Sequence, residues 1–196
     1  MLDVDVIEDP AAAVVALDPI RSRLLAELAE PASAATLATR LDLPRQKVNY
    51  HLRALEKAGL ARVAERRTWG GLTERLLVAT AGSYVVSPGA LGAAAVDPDR
   101  AADRLSASYL IAVAARAVRE VGDLCRRATK AKKRLATLTI DTTIRFAGPE
   151  QRAAFSHELT AAVAQLAARY HDESAAGGRP HRLVVGAYPL PQEPRS

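Results

Sequence analysis

Cysteine is nearly absent: Cys125 is the single one, which excludes an intramolecular disulfide and a multi-thiolate metal site within one chain. Aromatic residues make up only 4% of the sequence, so aliphatic side chains and alanine must build any core. No apolar run approaches the ~18 residues needed to cross a bilayer, which argues against a membrane partner. The opening Met1-Leu2-Asp3-Val4-Asp5 is acidic and lacks the basic and apolar regions of an export signal, so the expected setting is the cytoplasm. Lysine is scarce too. Lys47, Lys57, Lys130, Lys132 and Lys133 are the only ones, and arginine carries nearly all the positive charge.

Grouped catalytic residues are missing as well. No nucleophile, base and orienting partner occur together, and no glycine-rich phosphate loop follows a strand, so an enzyme is not expected and no cofactor is implied. His157, Glu158, His171, Asp172 and Glu173 match no compact metal-ligand spacing. His157 and His171 lie nearly four turns apart on one expected helix, which excludes a shared site within it. Cys125 reads as a small buried hydrophobe.

What is present is an ordinary globular composition, 49% hydrophobic and 25% charged over 196 residues, with a formal charge of +5. The charge is polarised. Residues 1–39 hold two basic and seven acidic residues. From Arg40 to Arg75 there are nine basic residues against four acidic ones, a distribution that would orient the chain on a polyanion.

Helical signals crowd the first half. Residues 10–17 read as a short helix, and Asp18-Pro19 then supplies an N-cap followed by proline at the first helical position. Ile20, Leu24, Leu25 and Leu28 continue at helical spacing until Glu30-Pro31. Ser33 caps a third helix carrying Leu37, Ala38 and Leu41. Asp42-Leu43-Pro44 breaks the chain, and a fourth helix over 44–58 ends at Gly59. Residues 61–80 then read as a hairpin turning at Gly70-Gly71. A two-residue turn sets Trp69 opposite Leu72, Arg67 opposite Glu74, and Arg66 opposite Arg75, with Val63, Leu76 and Val78 on one face. The facing arginines should repel one another.

Beyond a connector between Ser87-Pro88-Gly89 and Asp97-Pro98, residues 99–127 are expected to form a long helix. Leu105, Tyr109, Ala112, Val113, Val121 and Leu124 lie along one stripe of it. Residues 137–146 alternate strictly, with Leu138, Ile140, Thr142, Ile144 and Phe146 on one face, the pattern of a half-buried strand. A helix from Pro149 carries Phe155, Leu159, Val163, Leu166 and Tyr170, and residues 183–188 are expected to form a last strand. The basic run Arg126, Arg127, Lys130, Lys132, Lys133 and Arg134 reads as a helix end with complementary cations.

The helix over 44–58 holds the chemistry. Val48, Leu52 and Leu55 fall on one side, while Arg45, Gln46, Lys47, Asn49, Tyr50 and Arg53 fall elsewhere on its surface. Arginine suits guanine or phosphate, and Asn and Gln suit adenine. No acid occurs between Arg45 and Leu55, whereas a merely solvated helix more often mixes Glu with Lys. His51 sits at the edge of the apolar side and reads as a packed histidine.

The run from Ala35 to Leu60, and above all His51-Leu52-Arg53-Ala54-Leu55-Glu56-Lys57-Ala58-Gly59-Leu60, resembles the helix-turn-helix of ArsR-like winged-helix bacterial transcriptional regulators. Residues 62–80 are similar to the wing that follows it. The resemblance covers about residues 10–88. It implies a homodimer that reads a two-fold-related site on double-stranded DNA, commonly a repressor released by an effector. Arg45, Gln46, Lys47, Asn49, Tyr50 and Arg53 would then belong to the recognition helix, and Arg66, Arg67 and Arg75 would be wing contacts. Metal-sensing members carry a cysteine pair before the recognition helix, and this chain has none there.

The expected fold is therefore α+β and mainly α. A winged helix-turn-helix domain over 1–88 precedes a helix-strand-helix-strand region over 97–196 that serves dimerisation or binds a small-molecule effector. The competing reading is a winged helix that docks a small molecule or a protein instead of DNA.

Overall fold

The structure, a computed structural model, describes residues 2–69 and 72–191. The expected turn at Gly70-Gly71 lies outside the described residues, as do the side chains of Trp69 and Leu72. The chain divides into two units, Met1–Leu135 and Ala136–Ser196.

In the first unit, strand β1 (Leu2–Ile7) leads into α1 (Pro10–Ala16) and α2 (Pro19–Glu27). Both helices open with an aspartate cap followed by proline. Asp9 accepts from the amides of Ala11 and Ala12, and Asp18 from those of Ile20 and Arg21. These bonds satisfy amides that a helix start leaves orphaned. The Arg21 amide, with that of Ile20, holds the Asp18 carboxyl below its ordinary pKa against a smaller opposing effect of burial.

A two-residue strand β2 (Ala32–Ser33) precedes α3 (Ala34–Leu41), which the Ser33 hydroxyl caps at the Thr36 amide. Asp42 then turns the chain in the left-handed region at φ 53°, and α4 (Arg45–Lys57) begins after Pro44. Gly59 ends α4 at φ 74°, with the Leu60 amide donating to the Leu55 carbonyl at 2.9 Å, a left-handed closure that favours glycine.

Strands β3 (Ala61–Trp69) and β4 (Leu72–Ala79) form the hairpin, and β2 adds to β4, all antiparallel. The register sets Arg66 opposite Arg75, Arg67 opposite Glu74 and Trp69 opposite Leu72, as the two-residue turn requires. A bulge between Val63 and Glu65 shifts the ladder so that Val63 faces Leu77. The expected simple alternation is lost in β4, where Leu76, Leu77, Val78 and Ala79 are all buried.

Strand β5 (Ala81–Val86) runs parallel to β1 in a second, two-stranded sheet. A parallel pair cannot be joined by a tight turn, and here the whole helical segment and hairpin form the connection. The Tyr84 hydroxyl donates to the Leu60 carbonyl at 2.7 Å and accepts from the Thr80 and Ala81 amides. It thereby ties the end of α4 to the start of β5. The core lies between the helices and the hairpin base, where Leu24, Leu28, Leu37, Val48 and Leu55 are fully buried. Each such side chain contributes about 1.5–3 kcal/mol relative to exposure.

The connector forms two 3-10 segments, Pro88–Ala94 and Pro98–Arg100. The long helix expected from residue 99 begins later, as α5 (Ala107–Lys130), with Ser106 accepting from the Tyr109 amide as its cap. Leu105 lies before that cap and is exposed. Asp99 lies inside the 3-10 segment, and a turn in which Asp103 accepts from the Leu105 and Ser106 amides separates it from the Ser106 cap.

Helix α5 packs on β1 through Gly122 and Arg126. The Arg126 guanidinium donates to the Val6 carbonyl at 2.7 Å, to Glu8 at 3.1 Å and to Asp123 at 2.6 Å. Burial disfavours its charge, but the Asp123 and Glu8 carboxylates outweigh that and raise its pKa. Arg126 is thus a structural clamp, while the rest of the basic run, from Arg127 to Arg134, keeps its cationic side chains exposed.

The second unit contains α6 (Pro149–Tyr170). Residues 137–146 and 183–188, expected as strands, are in neither helix nor strand. Alternation alone does not make a strand; a ladder partner does, and none of the described residues supplies one. No described residue of this unit is buried, although Phe146 meets Phe155 with ring centroids 5.3 Å apart.

A Cβ added at Gly122 would lie 2.6 Å from the Val6 side chain. Gly122→Val is expected to lower stability by about 1–3 kcal/mol through overpacking, read by urea denaturation. Val6→Ala in the same chain should recover part of the loss.

Candidate nucleic-acid interface

Helix α4 is oriented by what it buries. Val48, His51, Leu52 and Leu55 are packed inward, and this leaves Arg45, Gln46, Lys47, Asn49, Tyr50, Arg53 and Lys57 exposed. Tyr50 is 65% exposed, large for an aromatic ring, and it meets His51 edge-on with ring centroids 5.2 Å apart. Pro44 makes no side-chain cap, so the first-turn amides of α4 remain available to an outside acceptor beside Arg45 and Lys47.

The hairpin stands next to this helix. A shallow cleft of about 140 Å³ between them is lined by Arg45, Asn49, Arg53, Glu56, Thr73 and Arg75, among others. That is well under the ~300 Å³ of small-ligand pockets, and the cleft suits an extended surface contact better than an enclosed ligand.

The arginines expected on the hairpin divide into two groups. Arg75 pairs with Glu56 of α4, and Arg67 pairs with Glu65 at 2.9 Å. The repulsion expected between Arg66 and Arg75 is thereby answered within the fold. The Glu56–Arg75 pair also joins α4 to the hairpin. Arg66 makes no ion pair among the described residues and is exposed. Arg45, Lys47, Arg53, Lys57 and Arg62 likewise have no carboxylate partner there, so the unpaired cations cover α4 and the adjoining part of β3.

His51 faces the interior, with Nδ1 buried and unpartnered. Burial lowers its pKa from the ordinary 6.5; the Asp18 carboxylate partly opposes this, and Arg21 and Lys47 add to the lowering. Among the described residues no three His, Cys, Asp or Glu side chains gather as a metal site. No helix among them is long and apolar enough to cross a membrane.

Sequence reading missed the contributions of Glu56 and β1. Glu56 belongs to the same helix as the basic set but points to the hairpin, and its pairing with Arg75 has a separation of 19 residues. For β1 the signal was available: Leu2-Asp3-Val4-Asp5-Val6 alternates as a strand does.

A model of a helix-turn-helix domain family matches residues 16–64, the stretch from the end of α1 through α2, α3 and α4 into β3. A search of curated proteins finds no match for the chain. The chain therefore carries a helix-turn-helix domain, the class found in DNA-binding regulators.

A neutral histidine is favoured in the folded protein, so the unfolded chain binds the extra proton first. The stability that His51 contributes is complete above about pH 6.5 and declines as the pH falls below it. The melting temperature should drop between pH 7.5 and pH 5.5, and His51→Gln should shrink that drop.

Proposed function

We propose that this protein is a sequence-specific DNA-binding transcriptional regulator of the winged-helix type, acting as a homodimer. Helix α4 enters the major groove, with Arg45, Gln46, Lys47, Asn49, Tyr50 and Arg53 at or beside the bases. The hairpin is the wing, and Arg66 is its principal phosphate contact. The observation that carries this reading is the unpaired cationic surface of α4, continuous with Arg62 and Arg66, on a matched helix-turn-helix domain. Arg67 and Arg75 reach phosphate only by exchanging their carboxylate partners, so their contribution is smaller than the sequence implies.

Helix α5 supports the dimer. Ala107, Ile111, Ala114, Val118, Val121, Cys125 and Ala128 recur at alternating spacings of four and three residues, the seam of a coiled coil. Ala112 and Val113 are buried away from this face and Gly122 at its border, while Ile111 and Val121 of the seam are exposed. Val14 and Leu17 of the α1 segment are exposed as well. Pairing two such seams would hold two copies of α4 about one DNA turn, roughly 34 Å, apart. Repression relieved by a small-molecule effector in the cytoplasm is the mode that the ArsR-like resemblance favours, with binding rather than catalysis as the activity.

Selection of bound duplexes from a random-sequence library tests the reading. Two-fold-related half-sites are expected. Asn49→Ala should relax base preference at one position per half-site, and Arg66→Ala should weaken binding to all sequences and reduce the salt slope by about one. Binding indifferent to salt, to Arg53→Ala and to Arg66→Ala would overturn it. Val118→Glu, which puts a charge in the α5 seam, should raise the dimer dissociation constant read by light scattering over a concentration series and weaken DNA binding by at least tenfold, about 1.4 kcal/mol.

A further inference from the structure

The second unit contains a segment whose chemistry is half complete. Residues 137–146 form no helix or strand, and none of their amides or carbonyls joins a backbone hydrogen bond among the described residues. Leu138 and Ile140 are 85% and 83% exposed. An unpaired backbone beside an alternating apolar face is open to pairing by another such segment.

The sequence of this segment is self-complementary about Thr142. Ile140 and Ile144 lie two positions to either side, and Leu138 and Phe146 lie four. In an antiparallel ladder centred on Thr142, Ile140 faces Ile144 of the other strand and Leu138 faces Phe146, so every apolar residue meets an apolar residue. On the opposite face Asp141 meets Thr143 of the other strand and lies diagonal both to Arg145, an opposite-charge pair within reach, and to the other Asp141. Centring the ladder on Asp141 would oppose two carboxylates. Centring it on Thr143 would set Leu138 against Gly148, the residue that already caps α6.

We propose that residues 137–146 pair with the same residues of a second copy of this chain, forming a two-stranded antiparallel arm with its two-fold axis at Thr142. Such a contact is isologous, each residue meeting its counterpart in both directions. A bare two-stranded ribbon is marginal in water, and the Phe146–Phe155 contact begins to cover its apolar face with α6. The arm is independent of the DNA reading and of the α5 seam: it holds two copies together whether or not either binds DNA.

Thiol trapping in the full chain tests the register. In a Cys125→Ala background, Thr142→Cys is expected to give a disulfide-linked dimer under mild oxidation, because counterpart Cβ atoms at the axis are about 5 Å apart. Thr139→Cys should stay a monomer on a non-reducing gel, since its counterpart would be on the order of 20 Å away. Asp141→Arg should raise the dimer dissociation constant of a Val118→Glu background roughly two- to fivefold, and Asp141→Arg with Arg145→Asp should restore it. Equal trapping of both cysteines signals random collision and overturns the proposal. So does a Thr142→Cys chain that stays monomeric, as it would if residues 183–190 of the same chain covered the segment.

Discussion

Burial of Val48, Leu52 and Leu55 against α2 and α3 is the constraint on which the interface depends. A helix of thirteen residues would be marginal in water by itself, and its basic face adds repulsion. Packing one side into the core supplies the stability and fixes the rotation of α4 about its axis. The cationic side chains are exposed as a consequence, since no other azimuth leaves the leucines dry. The turn at Asp42 and the closure at Gly59 set where the helix begins and ends, so the residues that reach outward are a matter of phase.

The hairpin and the Arg126 clamp extend that constraint outward. Glu56, the one acid of α4, pairs with Arg75 and so joins the hairpin to the helix that it flanks. Tyr84 binds the same helix end to β5, and β5 carries β1, on which α5 rests through Gly122 and Arg126. Hydrogen bonds and close packing thus connect α5 to the end of α4.

Much of the helical half was legible because its signals are local. Aspartate caps before proline, a serine cap, a glycine closure and apolar residues at helical spacing each act within a turn or two of the chain. The hairpin register was legible for the same reason: a two-residue turn dictates which residues face each other. Non-local features were not legible. The parallel pairing of β1 with β5 joins residues some eighty positions apart, and the bulge between Val63 and Glu65 has no signal in the local pattern. In the last sixty residues alternation suggests a strand, but a strand is a property of two segments, and none of the described residues pairs with this one.

The amino-acid sequence by itself determined the order of the helices, the phase of α4 and the polarity of charge along the chain, because these follow from short-range periodicity and capping. Which cations remain free was decided only by the tertiary structure. Arg66 and Arg75 are equivalent as letters and face each other in the ladder, yet Glu56 reaches one and no carboxylate among the described residues reaches the other. That difference arises from the approach of a helix to a hairpin across nineteen residues of chain, a distance at which sequence pattern carries no signal and packing geometry does.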